Sequence, residues 1–263
     1  MTQSESSIQI ERQGPLARVW FHRPEVHNAL NAELGAALIA ALRELAHDDA
    51  VRCVVLGGHG PSFCAGADIG AMKASATATF EANLAEAESL GGMFAALADF
   101  PKPVVARLHG GVYGGGVGFA CACDIAVASD DAKFGLTEVR LGILPGLISP
   151  YVIRRLGDRF AREYMLTGER FEAATALRIG LVHHVVPAAE LDAKVDERVS
   201  ELLKGGPQAQ KRVKMLLELW GDTAWEEYRA ALPRTLAEVR SGDEARDGLA
   251  AFFEKRKPRW MQD

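Results

Sequence analysis

Two glycine-rich segments and one glutamate hold the residue types from which chemistry could be built. They are FCAGADIG at 63–70, HGGVYGGGVGFA at 109–120, and Glu138 within KFGLTEVRLGILPG at 133–146. Glycine lets backbone approach a ligand closely and lets N–H groups point out of a turn. Two such segments suggest two N–H donors aimed at one anionic oxygen, an oxyanion hole. The GGG at 114–116 stands just before a predicted helix, so its N–H groups lie at the positive end of the helix dipole. Glu138 is flanked by apolar residues, which predicts a carboxyl pKa raised towards neutrality and suited to acid–base work. A plainer reading fits the same residues: two tight turns in an α/β protein and a solvated carboxylate.

The elements that must position these residues can be read from the spacing of apolar side chains. Residues 8–13 and 16–21 form a predicted β-hairpin across Gly14-Pro15. Asn31 caps a predicted helix with Leu34, Leu38, Leu42 and Leu45 at helical spacing. The runs at 51–57, 104–108 and 124–129 read as buried strands, and 77–99 reads as a helix stopped by Pro101 and Pro103. This alternation implies a mainly parallel sheet with helices around it. After about residue 145 the pattern becomes helical, with helices predicted over 159–167, 172–179, 189–204, 207–220, 223–240 and 243–255. The division expected is an α/β core over 1–195 and a helical C-terminal oligomerisation region over 196–263. Trp220, Trp225, Tyr228, Phe252, Phe253 and Trp260 concentrate aromatics in the latter, which suits a subunit interface or packing within the chain equally.

Composition narrows the function classes. The chain has 263 residues, 48% hydrophobic and 25% charged, with a formal net charge of −5. No long basic run is present, so nucleic acid is not an expected partner. The N-terminus lacks the layout of a signal peptide and no apolar stretch would span a bilayer, so a cytoplasmic location is expected. Cys53, Cys64, Cys121 and Cys123 lack the spacing of a zinc or redox site and read as buried reduced thiols. There is no GxSxG elbow, no phosphate loop, no dinucleotide fingerprint and no HExxH, so no metal ligands or cofactor are assigned.

Several segments in order resemble the crotonase (enoyl-CoA hydratase/isomerase) family over nearly the whole chain. They are RPEVHNALN (23–31), FCAGADI (63–69), KPVVARLHGGVYGGGVGFACACD (102–124), FGLTEVRLGILPG (134–146), LTGERFEAATALRIGLVHHVV (166–186) and FFEKRKPRW (252–260). The resemblance implies a ββα superhelical core with a helical C-terminal region used to form a trimer or a dimer of trimers. It implies an acyl-CoA substrate with no separate cofactor, since coenzyme A is part of that substrate. The thioester oxygen would be bound by the N–H groups of Ala67 and Gly115, and Glu138 would be the catalytic carboxylate. The coenzyme A portion would run past Ala65, Ala67, Asp68, Ile69 and Gly70, with Lys255 reaching towards its phosphates or simply solvated.

One position departs from the pattern. Typical hydratases of the family have a second glutamate where this chain has Gly118. Three functions then follow as expectations. The first is hydration of a branched or carboxylated enoyl-CoA, with Gly118 leaving room for the substrate. The run TEVRLGILPGLISPYVIRR, with a glycine after GGG, resembles bacterial 3-methylglutaconyl-CoA and isohexenylglutaconyl-CoA hydratases, which would place the chain in leucine or related acyl-chain breakdown. The second is 3,2-trans-enoyl-CoA isomerisation on Glu138 alone. The third, of another class, is a non-catalytic acyl-CoA-binding subunit.

Overall fold

The computed structural model describes residues 6–261. Strands β1 (Ile8–Gln13) and β2 (Leu16–Phe21) form the expected antiparallel hairpin. Helix α1 (Ala32–His47) starts where Asn31 accepts a hydrogen bond from the Leu34 N–H, 2.9 Å away, satisfying one of the unpaired donors of the first turn. Its buried Leu34, Leu38, Leu42 and Leu45 are the stripe visible in the sequence. Strand β3 (Cys53–Gly58) is buried throughout.

Two helices follow where one was expected: α2 (Ile69–Ser75) and α3 (Phe80–Ala98). Thr79 caps the second through its side chain, which is why the chain restarts there. Next come β4 (Val104–Leu108), β5 (Gly111–Tyr113), α4 (Gly115–Ala122), β6 (Ile125–Ser129) and β7 (Lys133–Gly135). A short 3-10 turn spans Thr137–Leu141. Helix α5 (Ser149–Thr167), strand β8 (Arg170–Glu172), α6 (Ala173–Arg178) and β9 (His184–Val186) lead to α7 (Leu191–Lys204). The chain ends with α8 (Pro207–Asp222), α9 (Trp225–Ser241) and α10 (Asp243–Glu254).

The strands make a six-stranded sheet, order β1-β2-β3-β4-β6-β9, parallel except for the first pair, and a three-stranded sheet, order β5-β7-β8. One face of the larger sheet carries Val19, Phe21, Val54, Leu56, Ala106 and Leu108 into the main core, where they meet α1, α3 and α4. The other face carries Cys53, Val55, Val105 and Val127 against Leu191, Val195 and Val199 of α7. The expected bound between residues 195 and 196 falls inside α7. The helix belongs to the core because its apolar stripe is what covers the outer face of the sheet, and the separate helical part begins at α8. The short strands β5, β7, β8 and β9 were not anticipated. Three residues each are too few for a periodic signal.

All four cysteines are buried and unpaired with one another. Burial pushes the thiols of Cys53, Cys64 and Cys121 up to about 12, which leaves them inert as nucleophiles. Among the described residues no helix is long and apolar enough to cross a membrane.

Candidate active site

Strands β3 and β4 are parallel neighbours, so the segments that leave their carboxyl ends emerge side by side. The first is Phe63–Gly70 and the second is His109–Gly118. They are joined through backbone: Phe63 N–H donates to His109 O, Cys64 N–H to Gly111 O, and Tyr113 N–H to Cys64 O, at 3.0, 3.1 and 2.9 Å. Glycine makes the approach possible. Gly66 has φ +93°, and a Cβ there would stand 3.3 Å from Tyr113 O. A Cβ on Gly116 would stand 2.8 Å from Cys64 O, closer than a carbon can sit. Gly114 has φ +51°, the turn that starts α4.

The third piece arrives through the small sheet. Strand β7 pairs with β5, and Gly114 N–H donates to Gly135 O at 2.9 Å. The 3-10 turn that follows therefore begins beside Gly114. It places Glu138 Oε1 at 3.0 Å from where a Cβ on Gly114 would be. Gly142, with φ +74°, ends that turn and sends the chain on to Ile148.

The three pieces enclose a cavity of about 240 Å³, lined by Ala65, Gly66 and Ala67, by Gly114 and Gly115, and by Glu138. Its remaining walls are apolar apart from Thr137, with Leu30, Met93, Phe94, Leu144 and Ile148 among them. Glu138 is the single ionisable group of the lining. Its Oε2 is buried and has no hydrogen-bond partner among the described residues. Burial drives its pKa up, with its own backbone hydrogen bond pulling weakly the other way. This is the raised carboxyl expected from the apolar flanks.

The backbone donors have the matching property. Leu30 forms a parallel bridge with Ala67: Leu30 N–H donates to Gly66 O at 2.8 Å, and Asp68 N–H donates to Leu30 O at 2.9 Å. In such a bridge the central residue turns its own N–H away from the partner strand. The Ala67 N–H accordingly donates to none of the described residues, and neither does that of Gly115 in the first turn of α4. Two uncommitted N–H donors and one desolvated carboxylate therefore border the same cavity. They can hold an oxygen that gains negative charge while the carboxylate moves a proton next to it.

The other expected site residues are placed differently. Asp68 turns its carboxylate to structure: it caps α2 through Gly70 N–H at 2.7 Å and pairs with Arg23 at 2.9 Å, which holds its pKa below the usual carboxylate range. Ile69 and Gly70 are exposed and do not line the cavity, nor does Asp68. Lys255 ends α10 in a left-handed conformation, φ 53°, and also lies outside the lining.

Gly118 requires a correction. It was expected to leave room for the substrate, yet it is buried and takes no part in the lining. A Cβ there would collide with Ile148 Cγ2 and come within 3.0 Å of Phe94 Cε1. The missing side chain is replaced by its neighbours, so the position supplies no space. Ile148, Phe94 and Leu30 were not singled out as site residues. Leu30 lies in the RPEVHNALN segment, whose resemblance to the family was the only signal pointing there.

Comparison with known proteins identifies the family and the fold. A family profile described as enoyl-CoA hydratase/isomerase matches residues 11–263. The short-chain-enoyl-CoA hydratase of Clostridium acetobutylicum is 34% identical, covering 96% of each chain. Among solved structures, Pseudomonas aeruginosa AtuE superposes with a TM-score of 0.94 at 36% identity, over 97% of this chain and 100% of that one. An enoyl-CoA hydratase from Shewanella pealeana gives 0.93 at 36% identity, over 97% and 96%.

Proposed function

Because this chain belongs to the enoyl-CoA hydratase/isomerase family, we propose that it adds water across the 2,3 double bond of an acyl-CoA thioester with Glu138 as its one catalytic carboxylate. The observation that carries the reading is the meeting, in one apolar cavity, of the unpartnered Glu138 Oε2 with the uncommitted N–H groups of Ala67 and Gly115. The two N–H groups bind the thioester oxygen. Glu138 takes a proton from a water whose oxygen attacks the β carbon. The electron pair of the double bond moves towards the thioester oxygen, and the enolate is held by the two donors. Glu138 then returns its proton to the α carbon. A donor of this kind is worth roughly 3–4 kcal/mol in other enzymes, and a positioned proton carrier roughly 10²–10⁴-fold.

The acyl chain that suits the lining is apolar and uncharged. No lysine or arginine lines the cavity, so a second carboxylate, as on 3-methylglutaconyl-CoA, would meet Glu138 and no cation. The room once assigned to Gly118 is filled, which removes the steric argument for a branched chain and leaves the likeness of the 137–155 run as its support. Parallel assays of Glu138→Gln and the parent chain on 2-enoyl-CoA thioesters with uncharged and carboxylated tails test both statements. Full hydration by the variant would defeat the mechanism, and faster hydration of 3-methylglutaconyl-CoA than of uncharged chains would defeat the substrate class.

The solitary carboxylate also favours a second reading, 3,2-enoyl isomerisation. There Glu138 removes a proton from C2 of a 3-enoyl thioester and returns it at C4, with the same enolate held by the same donors. Formation of the 2-enoyl product from a 3-enoyl-CoA, before any hydrated product, would identify it.

We further propose that α8, α9 and α10 join copies of this chain into a trimer or a dimer of trimers. Supporting this, neither α8 nor α9 buries a residue within the chain, and Leu217, Trp220, Trp225, Phe252 and Phe253 are exposed by 56–77%.

A further inference from the structure

The segment Arg23–Asn31 reaches the cavity only through Leu30, yet it is built under strain. His27 and Asn28 both lie at positive φ, 53° and 56°, where side chains with a Cβ are costly. Asn28 is fully buried and holds the conformation. Its Oδ1 accepts from Arg23 N–H at 2.9 Å, and its Nδ2 donates to His59 O and Ser62 O at 2.9 and 2.8 Å. The result delivers Leu30 to a particular place. Its backbone brackets Ala67 through the two bonds described above, and its Cδ1 lies where a Cβ on Gly115 would be. One residue thus sets the height of both donor-bearing strands of backbone.

A single side chain ties this segment to the Ala67 loop. Arg23 donates through Nη1 to Ala29 O at 2.5 Å and through Nη2 to Asp68 Oδ2 at 2.9 Å. Both charged side chains are largely buried, 18% and 17% exposed. The other oxygen of Asp68 receives Gly70 N–H at 2.7 Å. The guanidinium fork therefore fixes the residue before Leu30 to the residue after Ala67, which a point charge on a flexible stem cannot do.

We propose that Arg23, through Ala29 and Asp68, is a positioning residue for the oxyanion hole, setting the register between the Leu30 and Ala67 backbones and hence the aim of the Ala67 N–H. The inference rests on the hydratase reading above. The donor is aimed by a partly buried ion pair outside the cavity. Displacement of such a donor by about an ångström is expected to cost on the order of 10²-fold in rate.

The test uses the full chain and reads polarisation directly. A conjugated 2,4-dienoyl-CoA bound to Glu138→Gln cannot be turned over, and its ultraviolet absorption shifts to the red as donors pull on the thioester oxygen. The shift should be large in Glu138→Gln, and mostly lost in Glu138→Gln with Arg23→Gln or with Asp68→Asn. The asparagine keeps an oxygen to cap α2, removes the charge and turns an NH2 donor towards Arg23 in place of the acceptor Oδ2. Arg23→Lys, which keeps the charge but not the fork, should restore little of the shift. In the chain with Glu138 intact, Arg23→Gln should lower kcat about 10- to 100-fold with KM changed less than about threefold. An undiminished red shift in both double variants overturns the inference. So does an equal loss of binding and of melting temperature without a kcat-specific effect, the pattern of a merely structural pair. No red shift even in Glu138→Gln alone overturns the functional reading itself, and the inference with it.

Discussion

Up to Lys204 the chain builds a large shared core: Phe21, Phe63, Phe119 and Phe134 are wholly buried, and both faces of the six-stranded sheet are covered, although Phe80, Leu144 and Leu166 stay 70–75% exposed. From Pro207 onward the relation reverses. Helices α8 and α9 have clear apolar stripes and bury none of their residues, and Trp220, Trp225 and Tyr228 pack mainly on one another. Every group placed in the reaction comes from the first region. A donor must be held to a fraction of an ångström, and only a close-packed surround holds it so. The second region has apolar area looking for a partner, which is the property of an interface rather than of a reaction site.

The contrast predicts separable effects. The largest is Glu138→Gln, which should lower turnover by at least about 100-fold while leaving thioester affinity within a few-fold, measured by steady-state kinetics and calorimetry. Next, Leu217→Glu on the exposed face of α8 should reduce the solution mass towards that of one chain, read by light scattering, with circular dichroism unchanged. Retention of the oligomer would mean that this face is solvated and would erase the contrast. Within the core, Gly118→Ala should cost about 1–3 kcal/mol in chemical denaturation through overpacking on Ile148 and Phe94. Combining it with Ile148→Ala should cost less than the sum of the two single changes, because the new methyl enters the space that isoleucine leaves.

The smallest effects concern protons. The Glu138 pKa is raised in the folded chain, so the carboxylate form opposes folding. Stability from this group is full below the ordinary glutamate pKa and declines as pH climbs from there through the raised one, the reverse of a salt-bridged carboxylate. Glu138→Gln should therefore raise the melting temperature near neutral pH, with the gain shrinking in acid. In the parent enzyme, the general base works deprotonated. The acid limb of the pH profile of kcat/KM should then lie above the usual carboxylate range.

The parts of this site that were legible in the sequence are those whose information is local. Asn31 before an apolar stripe is a cap wherever the helix packs, and Gly14-Pro15 between two alternating runs is a hairpin. Glu138 among apolar neighbours was a fair guess at a desolvated carboxyl. The pairing of Asp68 was not legible because its partner, Arg23, lies 45 residues away, and whether a carboxylate meets an arginine is not written in its flanks. Gly118 was misjudged for the same reason: the absence of a side chain reads as space, but Ile148 arrives from another segment to fill it.

The sequence by itself determined the hairpin, the longer buried strands, the main helices, the family, the two glycine loops and the one carboxylate, since each follows from residue type and short-range spacing. Only the tertiary structure decided that Leu30 joins the two donor loops, that Arg23 clamps them, and that the cavity carries a single charge. Those are contacts between distant segments, and their existence depends on packing geometry that no single segment contains.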